Sequence, residues 1–227
     1  MKPTTRIKGV ILDMDGTLID SLFFFKDFWK SVGESYLGKK DFKPDEAIDK
    51  KMRTSIYVKA LRMIAEEYHI TDGRFFEEYI EYLNDFYRYR VSAKPGAFEL
   101  LSFFKEQGIA VCVASASEMK HLEIALTACN LREYIPKLHS CADMGFGKDR
   151  PDIFLKAAGA MGLSPEEVCV VEDSFLALET AKSAGFFTVG VYDENNYDQE
   201  RLRAASEIYL GKGETLADLI KKIKFDS

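Results

Sequence analysis

Two aspartates stand two residues apart at the end of a short apolar segment, Asp13 and Asp15 after Val10-Ile11-Leu12. The apolar run has no helical spacing and indicates a buried strand. Buried carboxylates cost free energy unless a cation, a proton or hydrogen-bond donors compensate them. One interpretation is a divalent metal site, since ligands bind at the carboxyl end of strands in open α/β sheets. The other is a turn in which Thr17 or Asp20 caps the next helix.

Three further polar groups adjoin apolar, strand-like segments later in the chain. Ser115-Ala116-Ser117 follows residues 109–114, and Glu172-Asp173 follows residues 168–171. Lys148 precedes the helix that is expected before that last strand. Parallel strands end at the same edge of their sheet, so the sequence predicts that these groups converge on one site.

Most of these residues also have a simpler structural interpretation. Ser115 could be an ordinary helix N-cap, and the N-cap role suits Ser117 better. Lys148 could be a solvated lysine near a helix start, and Glu172 could pair with Lys148 instead of binding metal. Asp173 is the hardest to explain without a ligand, because a carboxylate after so apolar a strand needs a partner.

The surrounding elements alternate between strands and helices from residue 94 to the end of the chain. Such alternation implies right-handed crossovers and a parallel sheet that is covered on both faces. The predicted fold class is therefore α/β, a doubly wound parallel sheet that also contains the first strand. The expected strands after the first are residues 109–114, 138–142, 168–171, 187–191 and 208–210.

Residues 19–91 differ in character, because they are aromatic and charged and show helical periodicity in three segments, 21–36, 50–68 and 73–90. This region holds 16 of the 29 aromatic residues, enough for a small hydrophobic core of its own. We therefore expect a helical cap domain at 19–91, inserted into a core domain formed by residues 1–18 and 92–227.

The order of these motifs resembles that of the haloacid dehalogenase-like (HAD) hydrolases. The motifs are DxDGT at 13–17, a strand ending in Ser115, Gly147-Lys148 followed by Pro151-Asp152, and a strand ending in Glu172-Asp173-Ser174. Within that superfamily the chain is similar to the helical-cap subgroup of sugar-phosphate phosphatases and β-phosphoglucomutase. The resemblance extends from about residue 7 to 223.

The resemblance implies a catalytic role for three residues. Asp13 would be the nucleophile that forms an aspartyl-phosphate, which splits one difficult displacement into two easier ones. Asp15 would protonate the leaving oxygen and later deprotonate the attacking water. Lys148 would spread positive charge over the nucleophile and the transferring group.

The same resemblance implies two binding roles. Mg²⁺ is the expected metal, since it favours carboxylate and phosphate oxygens. Ser115, Ala116 and Lys148 would bind the phosphoryl group. The metal would be held by Asp13, the backbone carbonyl of Asp15 and Asp173, with Glu172 as a further candidate ligand.

The expected activity is Mg²⁺-dependent hydrolysis of a small phosphorylated metabolite, a sugar phosphate or another phosphate monoester. A β-phosphoglucomutase-like phosphomutase is the alternative within enzymes. Relatives of that kind carry a histidine where Phe25 stands, and an aromatic hydrocarbon carries no proton, so hydrolysis is favoured. A phospho-accepting receiver-like signalling module is the alternative outside enzymes; Asp15 and the large helical insertion argue against it.

Three other features carry open alternatives. Arg150 could bind a second anion of the substrate, but a salt bridge with Asp149 or Asp152 is the favoured interpretation. The basic cluster Lys50-Lys51-Met52-Arg53 could form a specificity loop, although a solvated helix face is favoured. No chemistry is assigned to the histidines, which lie away from the motifs at His69, His121 and His139.

The bulk properties exclude several function classes. A formal net charge of −6 argues against non-specific nucleic-acid binding, and no apolar run approaches the ~20 residues that span a bilayer. Residues 1–8 lack the apolar segment of a signal peptide, so a cytoplasmic protein is expected.

The cysteines lack metal-binding spacing and are expected as free thiols. A monomer is expected, since a capped protein of this size needs no partner to complete its site.

Overall fold

The computed structural model of the protein describes residues 7–225. Apolar runs such as Gly9–Leu12 are buried along their whole length, as expected of strands covered on both faces. The strands are β1 (Gly9–Leu12), β2 (Ile19–Asp20), β3 (Ser92–Ala93), β4 (Ala110–Ser115), β5 (Lys137–Ser140), β6 (Val168–Glu172), β7 (Phe187–Val191) and β8 (Ile208–Leu210).

Six of these strands form the central sheet in the order β5-β4-β1-β6-β7-β8. Every neighbouring pair in that sheet is parallel, and the register places Leu12 beside Val113 on one side and Val171 on the other. The predicted α/β class with a doubly wound parallel sheet is confirmed. Because β1 lies in the middle, residues that follow it face residues that follow β4 and β6.

Helices flank this sheet and also fill the segment between β2 and β3. They are α1 (Phe24–Tyr36), α2 (Glu46–Thr54), α3 (Tyr57–Glu67), α4 (Arg74–Tyr89), α5 (Ala97–Gln107), α6 (Met119–Ala128), α7 (Cys141–Met144), α8 (Asp152–Met161), α9 (Phe175–Ser183), α10 (Gln199–Ala205) and α11 (Leu219–Lys222). One helix was expected over residues 50–68; that prediction is wrong, since α2 and α3 are separate helices.

Alternate side chains of each strand point to opposite faces of the sheet, so the sheet has a hydrophobic core on each side. Val10 and Leu12 belong to one core, and Ile11 between them belongs to the other. Cys112 and Cys169 are fully buried in these cores, and all four cysteines are free thiols, as expected. Such close-packed cores fix the ends of the strands rigidly.

The short strands β2 and β3 pair in antiparallel fashion at the two ends of the helical segment α1–α4. Aromatic rings pack within this segment; for example, Phe28 contacts Tyr79 with 4.9 Å between ring centroids. We propose that this two-stranded ribbon marks the junction of the two expected domains. The termini assigned to the core domain, residues 1–6 and 226–227, lie outside the described residues.

Among residues 7–225, no helix combines the length and the apolar character that crossing a membrane requires.

Candidate active site

Three buried carboxylates meet where β1 and β6 end. Asp13 follows β1, Glu172 ends β6, and Asp173 follows it. One oxygen from each lies within 4.8 Å of the others. The backbone N–H of Asp13 donates to the carbonyl of Val171 at 2.9 Å, which continues the pairing of the two strands into this region.

Lys148 reaches the same group from the loop between α7 and α8. Its ammonium donates to Oδ1 of Asp13 and, at 2.6 Å, to Oε1 of Glu172. Burial alone would lower the pKa of Lys148, but the charges of Asp13 and Glu172 outweigh it and raise that pKa. Lys148 is therefore a charged lysine held between two carboxylates, and the alternative of a solvated lysine is wrong.

The carboxylate group carries more negative charge than one lysine compensates. Burial raises the pKa of Asp13 to about 8, with Glu172 and Asp15 adding to the effect and Lys148 opposing it. Burial, followed by the charges of Glu172 and Asp13, also raises the pKa of Asp173 well above its usual value. A hard divalent cation prefers carboxylate oxygens and would relieve this repulsion, so these residues fit a metal site.

The turn after β1 is shaped around Asp173. Gly16 has a φ of +78°, and a Cβ at this position would lie 2.5 Å from Oδ2 of Asp173. The hydroxyl of Thr17 donates to Oδ1 of Asp173 at 3.3 Å. The interpretation of Thr17 or Asp20 as a helix cap is wrong, because α1 begins only at Phe24.

Asp15 lies beside this cluster and accepts hydrogen bonds from three hydroxyl groups. Ser21 and Tyr87 donate to its Oδ1 at 2.8 and 3.0 Å, and Ser117 donates to its Oδ2 at 2.8 Å. Burial raises the pKa of Asp15, and the three hydroxyls oppose that rise. Both oxygens of Asp15 are thus held in a fixed orientation by uncharged donors.

The segment after β4 forms another side of the site. Ser115 is buried, and its Oγ accepts the backbone N–H of Ser117 at 3.1 Å. Ala116 and both serines line the same cavity as Asp13 and Asp15. The N-cap interpretation is wrong for Ser115 and Ser117, because α6 begins at Met119 and Glu118 precedes it.

The cavity has a volume of about 550 Å³ and lies between the carboxyl ends of the strands and the helices α1–α4. Phe25 and Arg53 are part of its wall, with the guanidinium 4.3 Å from the ring centroid. The solvated face expected for residues 50–53 is therefore wrong for Met52 and Arg53, although Lys51 is exposed. Arg53 is turned inward by an ion pair with Asp49 at 2.9 Å.

Two of the simpler interpretations agree with the structure. Glu172 pairs with Lys148, and its other oxygen accepts the backbone N–H of Ser174 at 2.8 Å. Arg150 forms an exposed ion pair of 3.1 Å with Asp152. The expectation that the histidines lie away from the motifs is wrong for His121, which lines the same cavity as Asp13 and forms a hydrogen bond of 3.0 Å between its Nε2 and Oδ1 of Asn84.

Several residues that contact the site were not identified from the sequence. Ser21 and Tyr87 hold Asp15, and Asn196 donates to Oδ2 of Asp173 at 2.6 Å. None of them lies within a motif. Ser117 also donates to Asp15, and its only signal in the sequence was its position two residues after Ser115, in the loop that was predicted to reach the site.

A family model for haloacid dehalogenase-like hydrolases matches residues 7–185. The phosphorylated carbohydrates phosphatase of Thermotoga maritima is 27% identical over 220 residues, which cover 96% of this chain and 100% of that protein. The β-phosphoglucomutase of Bacillus subtilis is 27% identical over 199 residues, covering 82% of this chain and 83% of that protein.

A crystal structure of a putative β-phosphoglucomutase from Thermotoga maritima has the same fold, with a TM-score of 0.74 and 26% identity, covering 95% of this chain and 99% of that one. The expected family and the expected enzyme class, a hydrolase of the phosphatase type, are confirmed by these matches. The match of the family model over most of the chain, on a fold that gathers the four motifs at one edge, leads to one conclusion. The chain belongs to the haloacid dehalogenase-like hydrolase family.

Proposed function

We propose that the protein is a Mg²⁺-dependent phosphatase that hydrolyses small phosphate monoesters through an aspartyl-phosphate on Asp13. The observation that carries this proposal is the contact of the Lys148 ammonium with Asp13 in a buried group of carboxylates. A lysine in that position stabilises the ionised form of Asp13, which is the nucleophilic form. The hydroxyl-bound Asp15 lies beside it as a candidate acid and base.

In the first step a carboxylate oxygen of Asp13 forms a bond to phosphorus while the bond from phosphorus to the leaving oxygen breaks. Asp15 gives its proton to that leaving oxygen. In the second step Asp15 takes a proton from a water molecule, whose oxygen attacks phosphorus and releases inorganic phosphate. Asp13 is then restored, so the cycle balances without another reactant.

The phosphoryl group would be bound from two sides. Lys148 supplies positive charge, and the hydroxyl of Ser115 and the backbone N–H of Ala116 are the donors that the loop after β4 offers. We assign the metal to the side chains of Asp13 and Asp173 and to the backbone carbonyl of Asp15. Mg²⁺ bound there supplies the charge that lets an anionic nucleophile approach an anionic phosphate.

Glu172 is assigned a different role, which is to hold Lys148. Both of its oxygens already accept hydrogen bonds, one from Lys148 at 2.6 Å and one from the backbone N–H of Ser174 at 2.8 Å. A carboxylate in that position orients the lysine and offsets its charge.

A phosphomutase remains the second candidate, because one relative is named β-phosphoglucomutase. The aromatic ring of Phe25 in the cavity wall favours water as the final acceptor, since it cannot relay a proton to a sugar hydroxyl. Following one sugar-phosphate isomer separates the two: a mutase yields another isomer, and a phosphatase yields free phosphate.

The relatives named for phosphorylated carbohydrates and glycerol 3-phosphate support a sugar or polyol phosphate as substrate. We further propose that the protein acts as a cytoplasmic monomer and that α1–α4 close over the cavity during turnover. Such closure excludes bulk water between the two chemical steps and occurs on roughly the μs–ms timescale in other enzymes.

The deciding experiment compares wild type with Asp13→Asn on an aryl phosphate in the presence of MgCl₂. We expect steady phosphate release and acid-stable protein-bound phosphate from wild type, and neither from the variant. Asp85→Asn, an exposed carboxylate on α4, is the matched control and keeps wild-type turnover. Wild-type turnover by Asp13→Asn would exclude the covalent route. A wild-type protein that is phosphorylated once and does not turn over would be a receiver-like signalling module.

A further inference from the structure

The loop of residues 193–197, between β7 and α10, contacts three separate parts of the molecule. We call it the bridging loop. Its Asn196 contacts Asp173, its Asn195 and Tyr197 contact α2, and its Asp193 contacts Lys94 next to β3. The carboxylate cluster and the helices over the cavity are therefore linked through one short segment.

The carboxamide of Asn196 is fixed on both of its sides. Its Oδ1 accepts the backbone N–H of Tyr197 at 2.8 Å, so its Nδ2 must face the other way. That Nδ2 donates to Oδ2 of Asp173 at 2.6 Å and to the backbone carbonyl of Asp173 at 2.7 Å. Asn196 therefore contacts both the backbone and the side chain of Asp173.

The next residue ties the loop to α2. The hydroxyl of Tyr197 donates to Oδ2 of Asp49, which also accepts Nε of Arg53 at 2.9 Å. Nη1 of Arg53 donates to the backbone carbonyl of Asn195 at 3.0 Å. Asp49 is itself buried and receives Nε1 of Trp29 at 2.5 Å, so this attachment reaches into the core of the helical segment.

The start of the loop is anchored next to the two-stranded ribbon. The ammonium of Lys94, one residue after β3, donates to Oδ2 of Asp193 at 2.6 Å. Both side chains are largely buried, and the other oxygen of Asp193 accepts the backbone N–H of Asn195 at 2.8 Å. Because these contacts fix the start of the loop, we expect a displacement of Tyr197 to move its neighbour Asn196 as well.

We propose that Asn196 is a positioning residue for Asp173 and that Tyr197 couples it to α2, so the seating of that helix and the metal affinity of the carboxylate cluster depend on each other. This inference rests on the proposed function only in taking Asp173 as a metal ligand. Residues that hold a ligand in place contribute about 10–100-fold to metal affinity in other proteins. Linkage makes the coupling reciprocal: a metal bound at Asp173 stabilises the contact with α2.

The test is calorimetric titration of the metal-free protein with MgCl₂ alone. We expect Asn196→Ala to weaken binding by about tenfold. Tyr197→Phe removes only a hydroxyl and touches none of the carboxylates in the cluster, yet we expect it to weaken binding by about threefold, as an effect through one intervening residue. The double variant should bind as weakly as Asn196→Ala, since both changes act through the same carboxamide.

Tyr36→Phe is the matched control. It removes a hydroxyl that donates to Glu78 within the helical segment, away from the bridging loop, and it should bind Mg²⁺ as wild type does. Wild-type affinity in Tyr197→Phe, or strictly additive effects in the double variant, would overturn the coupling. Wild-type affinity in Asn196→Ala would overturn the positioning role.

Amide hydrogen exchange gives a readout without activity. MgCl₂ should slow exchange of the amides in residues 46–54 of wild type and of Tyr36→Phe, and should slow it less in Tyr197→Phe, which keeps only the contact of Arg53 with Asn195; equal slowing in Tyr197→Phe contradicts the inference. The inference and the proposed function fail differently. A wild-type protein that binds Mg²⁺ with these variant effects but releases no phosphate from any monoester would overturn the function alone.

Discussion

The hydroxyl of Tyr87, in the last turn of α4, donates to Oδ1 of Asp15 at 3.0 Å, so a residue of the helical segment holds the candidate acid and base. A hydrogen bond to a charged group contributes roughly 1.5–3 kcal/mol, and loss of about 1.5 kcal/mol corresponds to about tenfold in rate. We therefore expect Tyr87→Phe to lower kcat about tenfold, with KM nearly unchanged, in a steady-state assay of phosphate release.

The control for this prediction lies on the same helix. Tyr89 is exposed, and Tyr89→Phe removes a hydroxyl that is not part of the cavity wall. That variant should keep the kcat of wild type. A Tyr87→Phe enzyme with wild-type kcat would mean that Ser21 and Ser117 alone orient Asp15.

Gly16 leaves room for the carboxylate of Asp173, because it has no side chain. In Gly16→Ala the new Cβ would lie 2.5 Å from Oδ2 of Asp173, on a backbone with a φ of +78°. We expect the backbone strain of an L-residue in this conformation to lower the free energy of unfolding by roughly 1–2 kcal/mol. We also expect the new methyl group to displace the carboxylate of Asp173 and so to weaken Mg²⁺ binding. Chemical denaturation and calorimetric titration measure the two effects.

Gly213→Ala separates strain from collision. Gly213 has a φ of +91°, but a Cβ added there would meet no atom within 4 Å, so this variant suffers the backbone strain alone. It should lose stability by a similar amount and bind Mg²⁺ as wild type does. Equal Mg²⁺ affinity in both variants would contradict a role for Gly16 in making room for Asp173.

The sheet and the position of the site were predictable because both follow from local chemistry and topology. Segments such as Val168–Glu172 are apolar throughout except for the final glutamate, which is typical of strands buried on both faces. Once the strands are parallel, the polar residues that follow β1, β4 and β6 must meet at one edge. Asp13, Ser115 and Asp173, which end or directly follow these strands, are placed together by this topology alone, whereas Lys148 lies in the loop between α7 and α8.

The supporting residues were not predictable, because their signals are common ones. Tyr87 is one of many aromatic residues in a segment that needs them for its own core. Asn196 lies in a polar loop, where asparagine is frequent for conformational reasons. Arg53 was expected in solvent from its basic neighbours. It is turned inward by the ion pair with Asp49 and by contacts with residues remote in sequence, Phe25, Asn195 and Tyr197.

Ser117 shows how a sound local rule fails. A serine just before a helix is most often its N-cap. Here the hydroxyl donates to Asp15 at 2.8 Å, and α6 begins two residues later, at Met119. The competing partner, Asp15, lies in the turn after β1 and is 102 residues earlier in the sequence, so no pattern around Ser117 identifies it.

His121 makes stability depend on acid pH. Burial, with a smaller effect of Lys120, lowers its pKa to about 4, and its Nε2 contacts Oδ1 of Asn84 at 3.0 Å beside the ring of Tyr87. In the unfolded state His121 takes up a proton near pH 6.5, whereas in the folded state it does so only near pH 4. Its contribution to the free energy of unfolding is therefore complete above pH 6.5 and is lost as pH falls towards 4. At pH 5 the free energy of unfolding is lower by about 2 kcal/mol for this reason.

Thermal unfolding of wild type and His121→Gln between pH 7.5 and 5 tests this prediction. The glutamine keeps an amide donor for Asn84 but does not titrate. Between pH 6.5 and 5 the wild-type Tm should fall more steeply with pH than that of the variant. Above pH 7 the two slopes should be the same. Parallel curves would show that His121 titrates normally in the folded protein.

The last prediction concerns the repulsion between the buried carboxylates. Because burial and like charges raise the pKa of Asp173, Asp173→Asn should unfold at the same temperature as metal-free wild type or a higher one, even though it removes a site residue. A hundredfold excess of MgCl₂ over Kd stabilises a protein by about 2.7 kcal/mol. For a chain of this size that raises Tm by about 5–10 °C in wild type. The variant should show no such rise, and the exposed-site control Asp85→Asn should respond as wild type does. An equal Mg²⁺ response in Asp173→Asn would place the metal elsewhere.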